Sequence, residues 1–310
     1  MKILFVGRAK AGGDVGPILY AQGKSLEKQG FEVDYYPIKD AGFKGYLTNI
    51  KKLRTYIKQT NPAIIHAHYS LTGFVVSLAT SKPVVGSLMG SFPKKNLRYF
   101  LVQWFITFFW DATIVKSERT AIQLKRKNLH IIPNGVDLEL FTSLDKLKLR
   151  EKLLLKNDIK YILFAADPSR VVKNYSLAEA AVKLINDTNV QLLVVHNKPQ
   201  ESIAEYMCAA DVLLLTSLSE GSPNVIKEAM ASGIPIVTTD VGDVTHLLAG
   251  LEGAFISGSF NAAEIAALLQ KALLVEKTDG LNRIKALKLD SICVAKRLSA
   301  IYENIRYKKV

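Results

Sequence analysis

The 310-residue chain has only two cysteines, Cys208 and Cys293, which stand far apart in the sequence. This number and spacing argue against a disulfide framework and against a thiolate metal site. Such cysteine usage is typical of a reducing compartment, so we expect a cytoplasmic protein. The sequence also lacks internal repeats, low-complexity tracts, metal-ligand clusters and a nucleophile–base pair at a fixed spacing.

Long apolar runs are missing as well. Residues 99–110 are largely apolar, but 12 residues are too few to cross a bilayer, which takes roughly 20. The apolar run at residues 1–6 is one strand long and does not resemble a secretory signal. Hydrophobic residues make up 49% of the chain and charged residues 22%, which is typical of a globular protein with two domains of ordinary size.

Acidic residues are scarce in the first half of the chain. Residues 1–139 contain 20 Lys and Arg against 9 Asp and Glu, whereas residues 140–310 contain 21 against 19, so nearly all of the net charge of +13 lies in the first half. A basic half beside a near-neutral half indicates that one domain faces an anionic partner, either nucleic acid or an anionic membrane. An ordinary basic surface is the alternative.

Short apolar strands alternate with helices along the chain. Residues 2–6, 31–36, 63–68 and 83–88 have the pattern of buried strands with helices between them, which predicts a parallel sheet covered on both faces. Ligands of such sheets bind beyond the carboxyl ends of the strands. A glycine-rich turn follows the first strand, but no G-x-G-x-x-G dinucleotide register fits its glycines.

The stretch 211–239 carries the clearest chemical signal. Residues 212–216 predict a buried strand, and Ser222 stands as the N-cap of a helix with Pro223 at its first position. Gly233 predicts a left-handed helix stop before the next strand. Glu220 precedes this helix and Glu228 lies on it, and free amides at a helix start suit a phosphate or a polarised hydroxyl.

The segment Glu220-Gly-Ser-Pro-Asn-Val-Ile-Lys-Glu228, followed by Ala-Met-Ala-Ser-Gly-Ile-Pro, resembles the E-x7-E signature of glycosyltransferase family 4, retaining enzymes of the GT-B fold. Residues 131–141, Ile-Ile-Pro-Asn-Gly-Val-Asp-Leu-Glu-Leu-Phe, are similar to that family's crossing between its two domains. The resemblance covers nearly the whole chain. The motif variants Glu-Gly-Ser-Pro-Asn and Lys-Glu-Ala-Met look most like those of enzymes that build bacterial capsular, teichuronic-type or lipopolysaccharide chains.

The resemblance implies an α/β protein of two facing Rossmann-like domains, each a doubly wound parallel sheet, with a cleft between them. It predicts an acceptor-side domain at residues 1–139, a donor-binding domain at residues 140–293, and a last helix near 294–310 that rejoins the first domain. The implied reaction is hexosyl transfer with retention, without a metal or other cofactor. The implied donor is a nucleotide-diphospho-sugar, with a UDP-sugar favoured. The implied acceptor is a glycan or a lipid-linked molecule.

A lipid-linked phosphate as acceptor favours an anionic membrane over nucleic acid as partner of the basic half. We therefore expect peripheral contact with the inner face of the plasma membrane and no nucleic acid. Lys94 and Lys95 precede the apolar residues 99–110, which form either an interfacial helix or a buried helix of the first sheet.

Site roles transfer by position in the motifs. The resemblance implies that Glu228 binds the ribose diol and Glu220 the donor sugar, and these roles suit a carboxylate, which can accept hydrogen bonds from both hydroxyls of a diol. Arg170 and Lys173 hold the diphosphate, where cations stabilise the leaving group. Their spacing of three differs from the five usual in the family, so Lys173 transfers more securely than Arg170. The donor-binding positions at the helix start are Gly221, Ser222, Pro223, Asn224 and Val225.

On the acceptor side, the resemblance places Gly12 and Gly13 beside the donor diphosphate, with a tight turn that binds nothing as the alternative. His68 either orients an acceptor hydroxyl or packs inside the sheet. Met89 and Gly90 stand where relatives carry a His-Gly pair, and a thioether cannot donate a hydrogen bond. Either other groups form the catalytic environment, or activity is reduced or lost. A GT-B-fold nucleotide-sugar epimerase and a non-catalytic nucleotide-sugar-binding homologue are the alternative functions.

Overall fold

The computed structural model describes residues 1–9, 13–39, 42–90, 97–124, 126, 129–142 and 144–307, with the side chains of residues 42–44 and 98 left undescribed. The chain divides into two compact units, Met1–Gly135 together with Ser291–Val310, and Val136–Asp290. The division falls four residues before the predicted boundary, and the last helix belongs to the first unit from Ser291 onward.

The first unit is a parallel sheet with helices on both faces. Its described strands are β1 (Lys2–Arg8), β2 (Glu32–Ile38), β3 (Ile64–His68), β4 (Val84–Leu88), β5 (Ala112–Val115) and β6 (Leu129–Ile131), in the spatial order β2-β1-β3-β4-β5-β6. Its described helices are α1 (Pro17–Glu27), α2 (Gly42–Thr60), α3 (Ser70–Ala79), α4 (Leu97–Phe108), α5 (Glu118–Leu124) and α13 (Ser291–Tyr307).

Alternation along β1 shows why this sheet is covered twice. Leu4 and Val6 point to the core formed with α2, α3, α4 and α5, whereas Ile3 and Phe5 point to the core formed with α1 and α13. All four side chains are fully buried. A strand that is apolar on both faces is stable only between two helical layers, as the sequence predicted.

The second unit repeats this plan. Its described strands are β7 (Lys160–Phe164), β8 (Val190–Val194), β9 (Val212–Leu215), β10 (Ile236–Thr239) and β11 (Ala254–Ser257), in the order β11-β10-β9-β7-β8. Its described helices are α6 (Lys146–Lys152), α7 (Tyr175–Ile185), α8 (Gln200–Ala209), α9 (Asn224–Ser232), α10 (Val244–Leu248), α11 (Ala262–Ala272) and α12 (Gly280–Ala286). The sequence pattern predicts neither β11 nor α12.

The missed helix α12 depends on a contact that sequence periodicity does not report. A Cβ atom added at Gly280 would lie 2.4 Å from the carbonyl oxygen of Met230, so the start of α12 fits against α9 only with glycine. Ile284 of α12 is buried in the same core as Ile226 and Met230 of α9. The helix is thus stabilised by packing on α9 rather than by a long amphipathic pattern.

Candidate functional site

The strand order of the second unit reverses between β7 and β9, because the chain runs from β7 to its neighbour β8 and then returns past β7 to β9. The loops after β7 and β9 diverge at this switch point, and the crevice they leave at the carboxyl edge is where open α/β sheets bind ligands. Residues 165–174 follow β7 and residues 216–223 follow β9. The topology therefore brings the two predicted groups of charged residues to one edge.

Hydrogen bonds from threonine hydroxyls fix these loops to each other. Thr216 Oγ1 donates to the carbonyl oxygens of Lys173 at 3.0 Å and Asn174 at 2.9 Å. Thr239 Oγ1, at the end of β10, donates to the carbonyl oxygen of Ser217 at 2.8 Å. The Leu218 amide donates to the Val172 carbonyl oxygen at 2.9 Å. The backbone of both loops is therefore held in place by two buried threonine hydroxyls and one backbone hydrogen bond.

Lys173 and Glu220 meet at the switch point although 47 residues separate them. Lys173 Nζ lies 2.5 Å from Glu220 Oε1, and Ser217 Oγ donates to the same oxygen at 2.9 Å. Both charged side chains are mostly buried, which strengthens their attraction. Among the described residues, both contacts to this carboxylate use Oε1, so Oε2 can accept a hydrogen bond from a ligand hydroxyl.

Arg170 lies apart from this pair. It is exposed on a turn in which its amide donates to the Asp167 carbonyl oxygen at 3.2 Å, and Asp167 Oδ1 accepts from the Ser169 amide and hydroxyl. The turn continues as one 3₁₀ turn at Val171–Lys173, which directs Lys173 toward Glu220. The structure thus brings Lys173, but not Arg170, against the predicted sugar-binding carboxylate.

The start of α9 corrects the predicted cap. The helix begins at Asn224, and Pro223 stands at the cap with an extended backbone, so Ser222 is not the N-cap and Pro223 is not the first helical residue. The Ser222 hydroxyl instead accepts a hydrogen bond from Lys227 Nζ at 3.3 Å. Asn224 and Val225 lie in the first turn, where amides have no acceptor within the helix.

Glu228 lies farther along α9 and is partly buried. Its Oε1 accepts a hydrogen bond from Gln200 Nε2, at the first residue of α8, at 3.5 Å. Burial raises the pKa of Glu228 to about 7, against the opposing charge of Lys227. The carboxylate that the resemblance assigns to the ribose therefore changes its charge near neutral pH.

Two charged residues at this site were missed from sequence. Lys227 is 1% exposed, and burial lowers its pKa to about 8, against the opposing charges of Asp243 and Glu228. Burial also raises the pKa of Asp243, opposed by Lys227 and a hydrogen bond to Ser222. The available signal was a lysine between buried apolar positions, because Ile226, Ala229 and Met230 surround it on the helix.

The first unit places His68 inside its core. His68 is fully buried, stacks on His66 with ring centroids 4.2 Å apart, and contacts Gln22 Oε1 through Nε2 at 2.9 Å. Burial is the main cause that lowers the pKa of His68 to about 3, and the positive charge of Lys116 lowers it further. The packed alternative describes the surroundings of His68, and a part of His68 in orienting an acceptor hydroxyl stays a prediction.

The remaining described candidates of the first unit, Gly13, Met89 and Gly90, lie beyond the carboxyl ends of β1 and β4. Gly12 falls outside the described residues. Gly13 has φ of +89°, and a Cβ atom there would lie 3.5 Å from Lys39 Nζ. Met89 is half-buried just after β4, and Gly90 is exposed, with no described atom within 4 Å of a Cβ added there. Gly90 is thus not required by packing among the described residues.

A cavity of 530 Å³ opens where the strand order of the first sheet reverses, between β1 and β3. Its lining includes Arg8 at the end of β1, Ile18 on α1, Tyr46 on α2 and Tyr69 directly after β3. Tyr69 has φ of +74° and ψ of 149°, a strained backbone for a residue with a side chain. This cavity combines one cation with aromatic rings.

Across the described residues, no group of three His, Cys, Asp or Glu side chains is placed to hold a metal ion. Within the same ranges, every helix is too short or too polar to span a membrane.

Two family models match this chain in consecutive segments. Residues 9–140 match the model described as Glycosyltransferase Family 4, and residues 148–274 match the model described as Glycosyl transferases group 1. The chain belongs to glycosyltransferase family 4. The resemblance first seen in two short motifs is thereby confirmed.

Among curated glycosyltransferases, the chain is 28% identical over 216 residues to the teichuronic acid biosynthesis glycosyltransferase TuaC of Bacillus subtilis. This match covers 60% of the chain and 55% of TuaC, so the chain spans about half the length of that relative.

Solved structures show the fold of this glycosyltransferase chain. Sucrose-phosphate synthase from Thermosynechococcus elongatus superposes with a TM-score of 0.83 at 17% identity, over 99% of both chains. Anabaena HepE in complex with UDP and glucose superposes with a TM-score of 0.76 at 18% identity, over 98% of this chain and all of HepE. The predicted GT-B class, with two parallel-sheet α/β domains, is confirmed.

Proposed function

We propose that this chain is a retaining hexosyltransferase. It moves a sugar from a nucleotide-diphospho-sugar, with UDP as the favoured nucleotide, to a glycan or lipid-linked acceptor in cell-surface polysaccharide synthesis. The observation that carries the proposal is the meeting of Lys173 and Glu220 at the switch point of the second sheet, with Glu228 on the adjoining helix. Two relatives support the proposal. TuaC is described as a glycosyltransferase of teichuronic acid biosynthesis, and HepE has been solved with UDP and glucose.

In this proposal each charged group has a step in the transfer. Glu228 accepts the ribose hydroxyls, and Glu220 Oε2 accepts a hydroxyl of the sugar while Oε1 stays paired with Lys173. The bond from the anomeric carbon to the phosphate oxygen breaks, and the acceptor oxygen bonds that carbon on the same face. The acceptor proton passes to the leaving phosphate oxygen. Lys173 and the first-turn amides of α9 stabilise the charge that collects on the diphosphate, with no metal required.

The cavity in the first unit supports an acceptor with a sugar and an anionic group. Arg8 can pair with a phosphate, and the rings of Tyr46 and Tyr69 can lie against a sugar face. Its position at the strand reversal is the ligand-binding edge of that sheet.

Donor assays with UDP-, GDP- and ADP-sugars test the proposed reaction. We expect a UDP-sugar to raise the melting temperature most and to be turned over, with the product keeping its anomeric configuration by NMR. EDTA leaves the rate unchanged. Donor binding without turnover indicates the non-catalytic homologue that Met89 suggests, and a changed sugar configuration without acceptor indicates an epimerase.

Lys173→Met tests the charge at the switch point. We expect the turnover rate to fall about 100-fold or more, because a cation aimed at the leaving group is worth that much. Lys183→Met is the matched control, since Lys183 is exposed on α7 of the same unit. Equal rates for the two variants contradict the assignment.

Peripheral contact with an anionic membrane is supported by α4. Phe100, Trp104 and Phe108 follow one another at intervals of four along one exposed face, whereas Val102 and Phe105 on the other face are buried. Exposed aromatic residues on a basic unit suit the headgroup region of a bilayer. Lys94 and Lys95, the predicted phosphate contacts, lie outside the described residues.

Sedimentation with anionic and neutral vesicles tests this contact. We expect binding to anionic vesicles that weakens at high salt and is lost in Trp104→Ser/Phe108→Ser. Leu274→Ser is the control, because Leu274 is 88% exposed on the other unit. Vesicle binding unchanged by salt and by the double substitution rejects the membrane proposal.

A further inference from the structure

The buried Lys227 contributes to none of the steps assigned above. Its side chain is buried on the inner side of α9, next to the loop of residues 216–223 that follows β9. A buried ammonium is very unfavourable unless charged or hydrogen-bonding groups surround it, so its partners show what it stabilises.

The groups that face Lys227 come from three elements. Its Nζ lies 3.3 Å from Ser222 Oγ, on the loop after β9. The charge of Asp243, on the loop after β10, offsets the burial of the ammonium, as does the charge of Glu228 on α9 itself. The Ser222 side chain also lowers the pKa of Asp243, against the effect of its burial. The ammonium is thus hydrogen-bonded to the loop after β9 and attracted by the charge on the loop after β10, and it belongs to the helix that carries Glu228.

The same two loops meet backbone to backbone beside this cluster. A Cβ atom added at Gly242 would lie 2.6 Å from the carbonyl oxygen of Gly221, and Gly242 has φ of +62°. The loop after β10 therefore supports the loop after β9 directly below Glu220 and Ser222. A small shift of one loop has to move the other, because interiors are close-packed.

We propose that Lys227 is a positioning residue of the donor site, which holds the Glu220–Ser222 loop against the loop after β10 through Ser222 and Asp243. The inference rests on the proposed function, in which this loop contacts the sugar. Lys227 itself touches no substrate. Its removal should therefore impair handling of the sugar more than binding of the nucleotide, because Glu228 keeps its contact with Gln200 and loses only the charge of Lys227 that favours its ionised form.

Lys227→Met tests this positioning role, because methionine fills a similar space but has neither a charge nor a hydrogen-bond donor. We expect kcat with a UDP-sugar to fall roughly 10- to 100-fold, the cost of a small misplacement of a contact group. The Kd for UDP should rise by a smaller factor than kcat falls, because the loss of the Lys227 charge favours protonated Glu228 without moving it from Gln200. Lys271→Met, on the exposed side of α11, is the matched control and should change neither quantity.

A second variant separates positioning from folding stability. Lys227→Met leaves Asp243 buried without its cation, and Lys227→Met/Asp243→Asn removes that charge as well. We expect the double variant to regain melting temperature but not kcat. If kcat returns together with the melting temperature, Lys227 acts only on stability and the proposal is overturned.

Hydrogen exchange on the unliganded protein provides a readout that needs no donor. We expect faster exchange in Lys227→Met and in Gly242→Ala within residues 218–223 and 240–243, and unchanged exchange in β7. If both variants exchange at the native rate in these two segments, the positioning role of Lys227 is overturned, whatever the donor assays show. If the native protein binds no nucleotide-sugar, the proposed function fails. Hydrogen exchange alone then decides whether Lys227 holds the two loops together.

Discussion

At the scale of single residues, the donor site depends on how far each charge is removed from water. Lys173 and Glu220 are paired and mostly buried, and both are aimed at the edge of the sheet. Glu228 and Lys227 are neighbours on one helix, and burial moves the pKa of each toward neutral, to about 7 and about 8. Identical residue types therefore differ in what they can do because their surroundings differ.

The pKa of Glu228 predicts a pH-dependent donor affinity. A carboxylate accepts hydrogen bonds from a diol whereas a protonated carboxyl does so poorly, so affinity rises as pH rises through about 7. Between pH 6 and pH 7.5 the ionised fraction increases roughly eightfold, and the Kd for a UDP-sugar should fall by that factor. A UDP-sugar is the suitable probe, because its diphosphate is esterified at both ends and takes up no proton in this range.

Glu228→Gln is the control for this pH dependence. Its amide does not titrate, so we expect weaker binding with little variation between pH 6 and pH 7.5. Calorimetric titration at each pH measures both proteins. A native affinity that is flat with pH, or a Gln variant that keeps the slope, contradicts the assignment of Glu228 to the ribose.

At the scale of elements, α9 is the part of the second unit on which the site is built. Its first turn carries the amides that the proposed function assigns to the diphosphate, its buried side packs on α12, and Gly233 ends it in the left-handed conformation. The short loop that follows leads directly into β10, whose end supports Ser217 through Thr239. The length of α9 thereby sets the spacing between the loops that form the crevice.

Gly233→Ala tests the end of α9. The residue has φ of +77°, and a Cβ atom would lie 2.9 Å from Lys277 Cε and 3.4 Å from the Thr278 carbonyl oxygen. We expect a loss in the free energy of unfolding that exceeds the ~1–2 kcal/mol of left-handed backbone strain alone. Urea denaturation measures it.

Gly250→Ala is the matched variant. Gly250 has φ of +73° but nothing within 4 Å of an added Cβ atom, so its substitution carries the backbone strain without the clash. We expect the smaller loss of the two. Equal losses would mean that the contacts of Gly233 with the segment 277–278 contribute nothing.

At the scale of the whole molecule, the first unit is completed by the end of the chain. α13 follows the second unit in sequence, yet its Val294, Leu298 and Tyr302 are buried with Ile3 and Phe5 of β1. The hydroxyl of Tyr302 lies 2.6 Å from His66 Nδ1, across 236 residues of sequence, and His66 Nε2 lies 2.7 Å from Ser87 Oγ. The first unit therefore cannot reach full stability before the second has been synthesised.

Tyr302→Phe tests this long-range contact. The substitution leaves a nitrogen of the buried His66 without its partner, and we expect a loss of ~1–3 kcal/mol in the free energy of unfolding. Tyr307→Phe on the same helix is the control, because Tyr307 is 81% exposed and should change stability by less than ~0.5 kcal/mol. Thermal unfolding that shows the same small change for both variants contradicts a stabilising contact.

The sequence by itself determined most of the order of strands and helices, without β11 and α12, and it determined the GT-B class and the family. Apolar runs flanked by Gly and Pro are local signals, and the motif at 220–228 is specific. Helix and strand ends differ by a few residues, as at Pro223, where a hydroxyl expected to cap α9 accepts from Lys227 instead.

Only the tertiary structure decided which charges meet. Lys173 reaches Glu220 while Arg170 stays exposed, His68 is buried, and Lys227 lies between two loops. None of this is local in sequence, because these contacts depend on the reversal of strand order between β7 and β9 and on packing from both faces of each sheet. A pattern along the chain reports which residues are apolar, whereas the neighbours of a charge are set by the folded arrangement.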